Sequence, residues 1–180
     1  MRRKLRLGKW AGWEWSADWN VLPSAVILAL GLSLGAAATM NLPIETAIIA
    51  GLLATGLHYI YDVLHNLGHA LAARRTGYPM RGIHFFMILV GSIYPRDEPP
   101  LPGKIHIQRA LGGPIMSLIV TIILGLLAIL AWDGGGIGRF VTTVGFLSNL
   151  LIFTIGALIP PLRFGWFSND GGTILTWWGK

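Results

Sequence analysis

The chain of 180 residues contains no cysteine. Disulfides and thiolate metal sites are therefore excluded, and any metal must be held by histidine, aspartate, glutamate or asparagine. Charge is scarce as well. Only 12% of residues are Asp, Glu, Lys or Arg and 53% are hydrophobic, against roughly a quarter charged in a soluble domain, which argues against a water-soluble fold. No internal repeat is visible, and no linker is long enough to separate two domains, so a single membrane domain over residues 1–180 is expected.

What is present instead is long apolar runs: Val21 to Met40, Ile44 to about Leu64, Ile115 to Trp132, and Gly138 to Ile159. Crossing a hydrocarbon core takes about 20 helical residues. The expectation is an all-α polytopic membrane protein with about four transmembrane helices (21–40, 44–73, 108–132 and 138–160), a short interfacial β-hairpin within 1–20, and a membrane-embedded strand. The formal charge of +6 follows topology rather than a nucleic-acid partner. With a cytoplasmic N-terminus, four spans leave Arg2, Arg3, Lys4, Arg6, Lys9, Arg74, Arg75, Arg81, Arg96, Lys104, Arg109, Arg163 and Lys180 inside and only Arg139 outside. That asymmetry satisfies the positive-inside rule, so both termini are expected in the cytoplasm. The basic face also suits anionic membrane lipid. Tryptophans 10, 13, 15, 19, 132, 166, 177 and 178 flank the apolar runs as an interfacial belt does. A cleavable signal peptide is disfavoured, because about 20 Trp-rich and polar residues precede the first apolar run.

Between the spans, residues 5 to 16 alternate in part and are broken by Gly8 and Gly12, the pattern of a hairpin lying at the membrane surface. The second apolar run continues through Asp62-Val63-Leu64-His65-Asn66-Leu67-Gly68-His69 to Arg75 and stops at Gly77 and Pro79. Residues 82 to 94 are too short to span as a helix, are rich in β-formers, and read as a strand or re-entrant hairpin. Such backbone at membrane depth must line protein or a wet cavity. Four prolines make residues 95 to 104 a loop, and Arg109-Ala110-Leu111-Gly112-Gly113-Pro114 opens the next helix with small residues that allow close approach and an irregular start.

His65 and His69 are four apart on a helix, so they share one face and can ligate a single ion, with zinc the natural candidate. At about 100° per residue, His58, Asp62, His65 and His69 fall within about 60° of one another. Ionisable side chains within a span read as functional by default. For the pair taken alone, a polar stripe that only hydrogen-bonds to neighbouring helices is an equal alternative. His58 reads as such a bundle partner, and His84 and His106 fall on the strand and the cytoplasmic loop with no metal spacing.

The rest of the chain resembles the site-2 protease family of intramembrane zinc metalloproteases. Leu5 to Gly12 followed by Trp13-Glu14-Trp15 is similar to that family's N-terminal hairpin. His65 to Arg75 resembles its His-Glu-x-x-His-Ala helix, and Ala110-Leu111-Gly112-Gly113-Pro114 its Ala-Gly-Pro helix start. Leu158 to Arg163, followed by Asn169-Asp170-Gly171-Gly172, resembles its Asn-Leu-Leu-Pro and Asp-Gly signature in the segment 161–180, expected to be cytoplasmic. The resemblance implies zinc held by His65, His69 and Asp170. It also exposes a departure: Asn66 stands where the family has its glutamate general base, and an amide cannot accept and return a proton near neutral pH. Asp62, about one turn before His65, is the only nearby carboxylate that could substitute, although a hydrogen bond orienting a histidine suits it better.

The expected function is thus a catalytically impaired pseudoprotease that keeps a zinc site and binds membrane-protein partners or segments as a scaffold or assembly subunit. The strand near 83–94 offers an edge for an extended peptide in such binding. The alternatives are an active intramembrane metalloprotease cleaving transmembrane substrates, or a purely structural subunit. Oligomeric state is open.

Overall fold

The computed structural model describes residues 4–160 and 168–180. Arg2, Arg3, Pro161, Leu162, Arg163 and Trp166, which figured in the topology, belt and motif readings, lie outside the described residues. The elements run β1 (Lys4–Trp10), β2 (Trp13–Asp18), α1 (Val21–Met40), α2 (Ile44–Arg75), β3 (Gly82–Phe86), β4 (Leu89–Ile93), α3 (Gly103–Leu130), α4 (Gly136–Ser148), a π-helical continuation (Asn149–Gly156), and α5 (Asp170–Trp177). Among the described residues four helices are long and apolar enough to cross a membrane, the last being α4 with its π-helical extension.

The packing has the polarity of a membrane protein. Small residues are turned inward: Ala29, Ser33 and Ala36 of α1 meet Ala47, Ala50, Gly51 and Ala54 of α2. Large apolar side chains such as Leu22, Ile27, Leu30, Leu52 and Ile122 point out. Between helices in lipid there is no hydrophobic drive, so close backbone approach and dispersion hold the bundle together. A Cβ on Gly51 would run into Ser33 and the carbonyl of Ala29, and Gly68 and Gly112 press against each other's backbone where α2 crosses α3. Between α1 and α2 the chain turns at Asn41, in the left-handed region (φ 51°), followed by Leu42 and Pro43.

Three expectations are adjusted. The third helix starts at Gly103, not near 108, and runs without interruption through Gly112-Gly113-Pro114, which places His106 on it rather than on a loop. The second reaches Arg75. The fourth begins at Gly136 and turns π-helical at Asn149, whose side-chain amide donates to the Gly145 carbonyl at 3.0 Å, an oxygen its own main-chain N–H also uses. Such competition for one carbonyl loosens the regular helical ladder.

The two β segments, read separately from sequence, form one four-stranded sheet in the order β1-β2-β3-β4. β1 and β2 are an antiparallel hairpin with a bulge between Arg6 and Gly8, β2 runs parallel to β3, and β3 and β4 are antiparallel. Parallel neighbours require a crossover, and the α1–α2 pair supplies it. One sheet face carries Ile83 and Val90, with Trp13, Trp15, Phe85 and Tyr94 alongside, onto Ala70, Ala73 and Met80. That contact holds β4 beside the middle of α2.

Candidate metal centre

A rise of about 1.5 Å per residue puts His65 about 31 Å along α2 from Ile44, close to the thickness of a hydrocarbon core. Both imidazoles are buried. Each is fixed by its far nitrogen: His65 Nδ1 lies 2.9 Å from the Ser117 hydroxyl, and His69 Nδ1 lies 2.8 Å from the main-chain carbonyl of Arg109. A carbonyl can only accept, so His69 Nδ1 carries the proton and Nε2 presents its lone pair. The 3.2 Å approach of the Gly113 N–H to that same protonated nitrogen is then a contact, not a hydrogen bond.

Asp170 arrives from the other end of the chain. Asn169 caps α5 by accepting from the Gly172 N–H at 3.0 Å, while its amide donates to the carbonyl of Ile159 at 2.7 Å. The start of α5 is thereby tied to the end of the fourth span. Gly171 permits this, because a Cβ there would collide with the Leu158 carbonyl. The Asp170 carboxylate then lies 3.2 Å from His65 Nε2 and 3.3 Å from His69 Nε2, and the two Nε2 atoms are 3.0 Å apart.

These three residues are the one group of three or more potential ligands brought together among the described residues. The donor set fits a cation. Two imidazole lone pairs and a carboxylate converging on one point repel each other unless a positive charge lies between them. Tetrahedral zinc, with bonds of about 2.0–2.1 Å, separates its ligand atoms by roughly 3.3 Å, close to the spacing found. Gly113 completes the fit, since a Cβ at that position would strike Nε2 of both histidines. When bound, zinc would supply Lewis-acid polarisation at this point.

The other two predicted site residues are placed elsewhere. Asp62 accepts from the Val90 N–H at 2.7 Å through Oδ2 and from the Asn66 amide at 3.2 Å through Oδ1. It orients neither histidine by a hydrogen bond; Ser117 and the Arg109 carbonyl do so instead. Asn66 is 1% exposed, and its amide donates to the carbonyls of Asp62 (2.9 Å) and Val90 (3.1 Å) while its oxygen accepts from the Ser92 hydroxyl (2.8 Å). Its polar atoms are therefore engaged by β4 and Asp62.

Around this core, Arg109 is buried, pairs with Glu98, donates to the Tyr78 carbonyl, and stacks 4.4 Å from the Tyr94 ring centroid. Burial, aided by the Asp170 and Glu98 carboxylates and opposed by Arg109, pushes the Tyr94 phenol up to about 12, so it stays neutral. Ser117, Arg109, Gly113 and Asn169 were not singled out as site residues from sequence. Asn169 had a signal, being an N-cap residue directly before the helix it starts. Gly113 had one too, in the small-residue run that permits close approach of another backbone. Ser117 and Arg109 carry none, because their roles at the site depend on which helix faces which.

The bundle and the site together define a polytopic membrane protein with the site-2 protease fold. The solved structure that shows this is the site-2 protease from Methanocaldococcus jannaschii, to which the chain is similar with a TM-score of 0.63 over 96% of this chain and 70% of that one, at 20% sequence identity. No family model matches the chain, and no curated protein matches it in sequence.

Proposed function

We propose that this chain is a site-2-protease-like membrane protein that binds zinc through His65, His69 and Asp170 but hydrolyses peptides poorly, and that it acts as a scaffold for membrane-protein partners. The observation that carries the reading is Asn66. It stands at the general-base position of a motif whose ligand residues are otherwise intact, and every polar atom of its side chain is hydrogen-bonded to Asp62, Val90 or Ser92. Loss of a positioned base costs about 10²- to 10⁴-fold in rate. Asp62 is a poor substitute, because its carboxylate already accepts the Val90 N–H and the Asn66 amide.

Metal content and cleavage test the two halves separately. Purified protein is expected to retain about one zinc per chain and His69→Ala to lose it. A membrane substrate incubated with the wild type is expected to remain uncut. The swap Asp62→Asn with Asn66→Glu keeps one carboxylate and one amide in place and is expected to gain cleavage. Robust wild-type cleavage that disappears on substituting His65 would overturn the pseudoprotease reading, and a metal-free protein would overturn the zinc reading.

A further inference from the structure

β4 closes one side of the sheet, and its main-chain groups on the side away from β3 would ordinarily be open to another strand. Here α2 meets them. His58 Nε2 donates to the Ile88 carbonyl at 2.8 Å, and the Tyr59 hydroxyl to the Met87 carbonyl at 2.9 Å, in the turn that leads into β4. Asp62 accepts the Val90 N–H at 2.7 Å, and Asn66 donates to the Val90 carbonyl at 3.1 Å. The Asn66 oxygen takes the Ser92 hydroxyl at 2.8 Å. The N–H and C=O of one edge residue are the pair that an added strand engages in a hydrogen-bonded ladder.

The two periodicities match. Residues 58, 62 and 66 advance by about 6.0 Å per step along a helix. Residues 88, 90 and 92 advance by about 6.6 Å per step along a strand. A stripe at every fourth helical position therefore stays in register with alternate strand residues over this short length. The residue type at 66 follows from the same contacts. It must donate toward both Asp62 and Val90 and accept from Ser92, which an amide does. A glutamate has no hydrogen to give and would set a second negative charge beside Asp62.

We propose that His58, Asp62 and Asn66 form a side-chain strand that occupies the outer edge of β4 and keeps extended peptides off it, and that Asn66 serves this chain as a rung of that closure. Partners that bind the intact protein then do so through surfaces other than this edge. The inference depends on neither zinc nor the loss of hydrolysis, so it stands or falls separately from the preceding proposal.

The test uses the full chain in lipid nanodiscs, with a photoreactive side chain at Leu89 and a biotinylated synthetic peptide of alternating valine and threonine as probe. Wild type is expected to show a protected Val90 amide in hydrogen–deuterium exchange and no peptide capture. Asp62→Val with Asn66→Leu removes the two rungs at Val90. Its Val90 amide is expected to exchange roughly tenfold to hundredfold faster, on the scale of one or two lost buried hydrogen bonds, and Leu89 to capture the peptide. Wild-type capture equal to the variant's, unchanged Val90 exchange, or faster exchange without capture would each overturn the proposal. Should the double variant fail to fold, Asn66→Leu and His58→Phe alone each remove a single main-chain rung. A severalfold rise in exchange across residues 87–93 in both supports the closure, and no rise in one or both overturns it.

Discussion

At Gly113, one added methyl group would collide with Nε2 of both His65 and His69. Gly113→Ala is expected to lower zinc affinity at least about 100-fold, on the scale of a lost supporting contact, and to destabilise by about 1–3 kcal/mol through overpacking. Zinc titration and thermal unfolding read the two effects. Ser117 acts more gently. Its hydroxyl lies 2.9 Å from His65 Nδ1 and is fully buried in the bundle. Ser117→Ala should weaken zinc binding by about 10- to 100-fold while the helices stay packed, measured as metal affinity against an unchanged circular-dichroism spectrum. The histidine pair was legible because four-residue spacing fixes a shared helix face whatever surrounds it. Gly113 was legible only as one of a run of small residues and Ser117 not at all, because nothing in their local sequence says that α3 lies against that face.

Among the elements, α2 makes two sets of contacts on adjacent stripes: His65 and His69 toward α3 and Asp170, and His58, Asp62 and Asn66 toward β4. The sequence presented His58, Asp62, His65 and His69 as one ionisable stripe, since a helical wheel separates them by little. Only the two partners on either side distinguish them. The start of α3 is held by the buried Arg109–Glu98 pair, and the Arg109 carbonyl orients His69. Glu98→Ala leaves a buried guanidinium without its carboxylate, so a loss of about 3–5 kcal/mol in stability is expected, together with weaker zinc retention. In the sheet, His84 lies between Ser16 (2.9 Å) and Asp18 (3.3 Å) on β2. Burial lowers its pKa, Asp18 opposes the shift, and Lys4 adds to it. Between its folded value and the ordinary 6.5 or so, the unfolded chain binds more protons, so the contribution of His84 to stability is complete above about pH 6.5 and declines as pH falls below it. Amide exchange across β2 and β3, corrected for intrinsic rates, should therefore be faster at pH 5 than at pH 7.5, and His84→Gln should flatten that dependence.

For the whole molecule, the absence of cysteine makes orientation directly measurable. Single substitutions Lys9→Cys and Gly134→Cys, labelled in sealed cells with a membrane-impermeant maleimide, should react from opposite sides: Gly134→Cys from outside, and Lys9→Cys only after the membrane is opened. Labelling of both from outside would contradict the cytoplasmic N-terminus expected from the distribution of basic residues.

Local patterns in the chain were enough for the number of spans, the hairpin near the N-terminus, and the histidine pair on one face of the second helix. Each rests on a local signal: apolar run length against membrane thickness, alternation, or spacing along one helix. Tertiary structure alone decided that the two β segments share a sheet through the parallel pairing of β2 and β3. It also decided that Asn169 pins Asp170 to the end of the fourth span, and that Asn66 is bound to Val90 and Ser92. These are contacts between residues 10 to 68 positions apart along the chain, fixed by how helices and strands pack, and no local pattern encodes which donor will meet which acceptor.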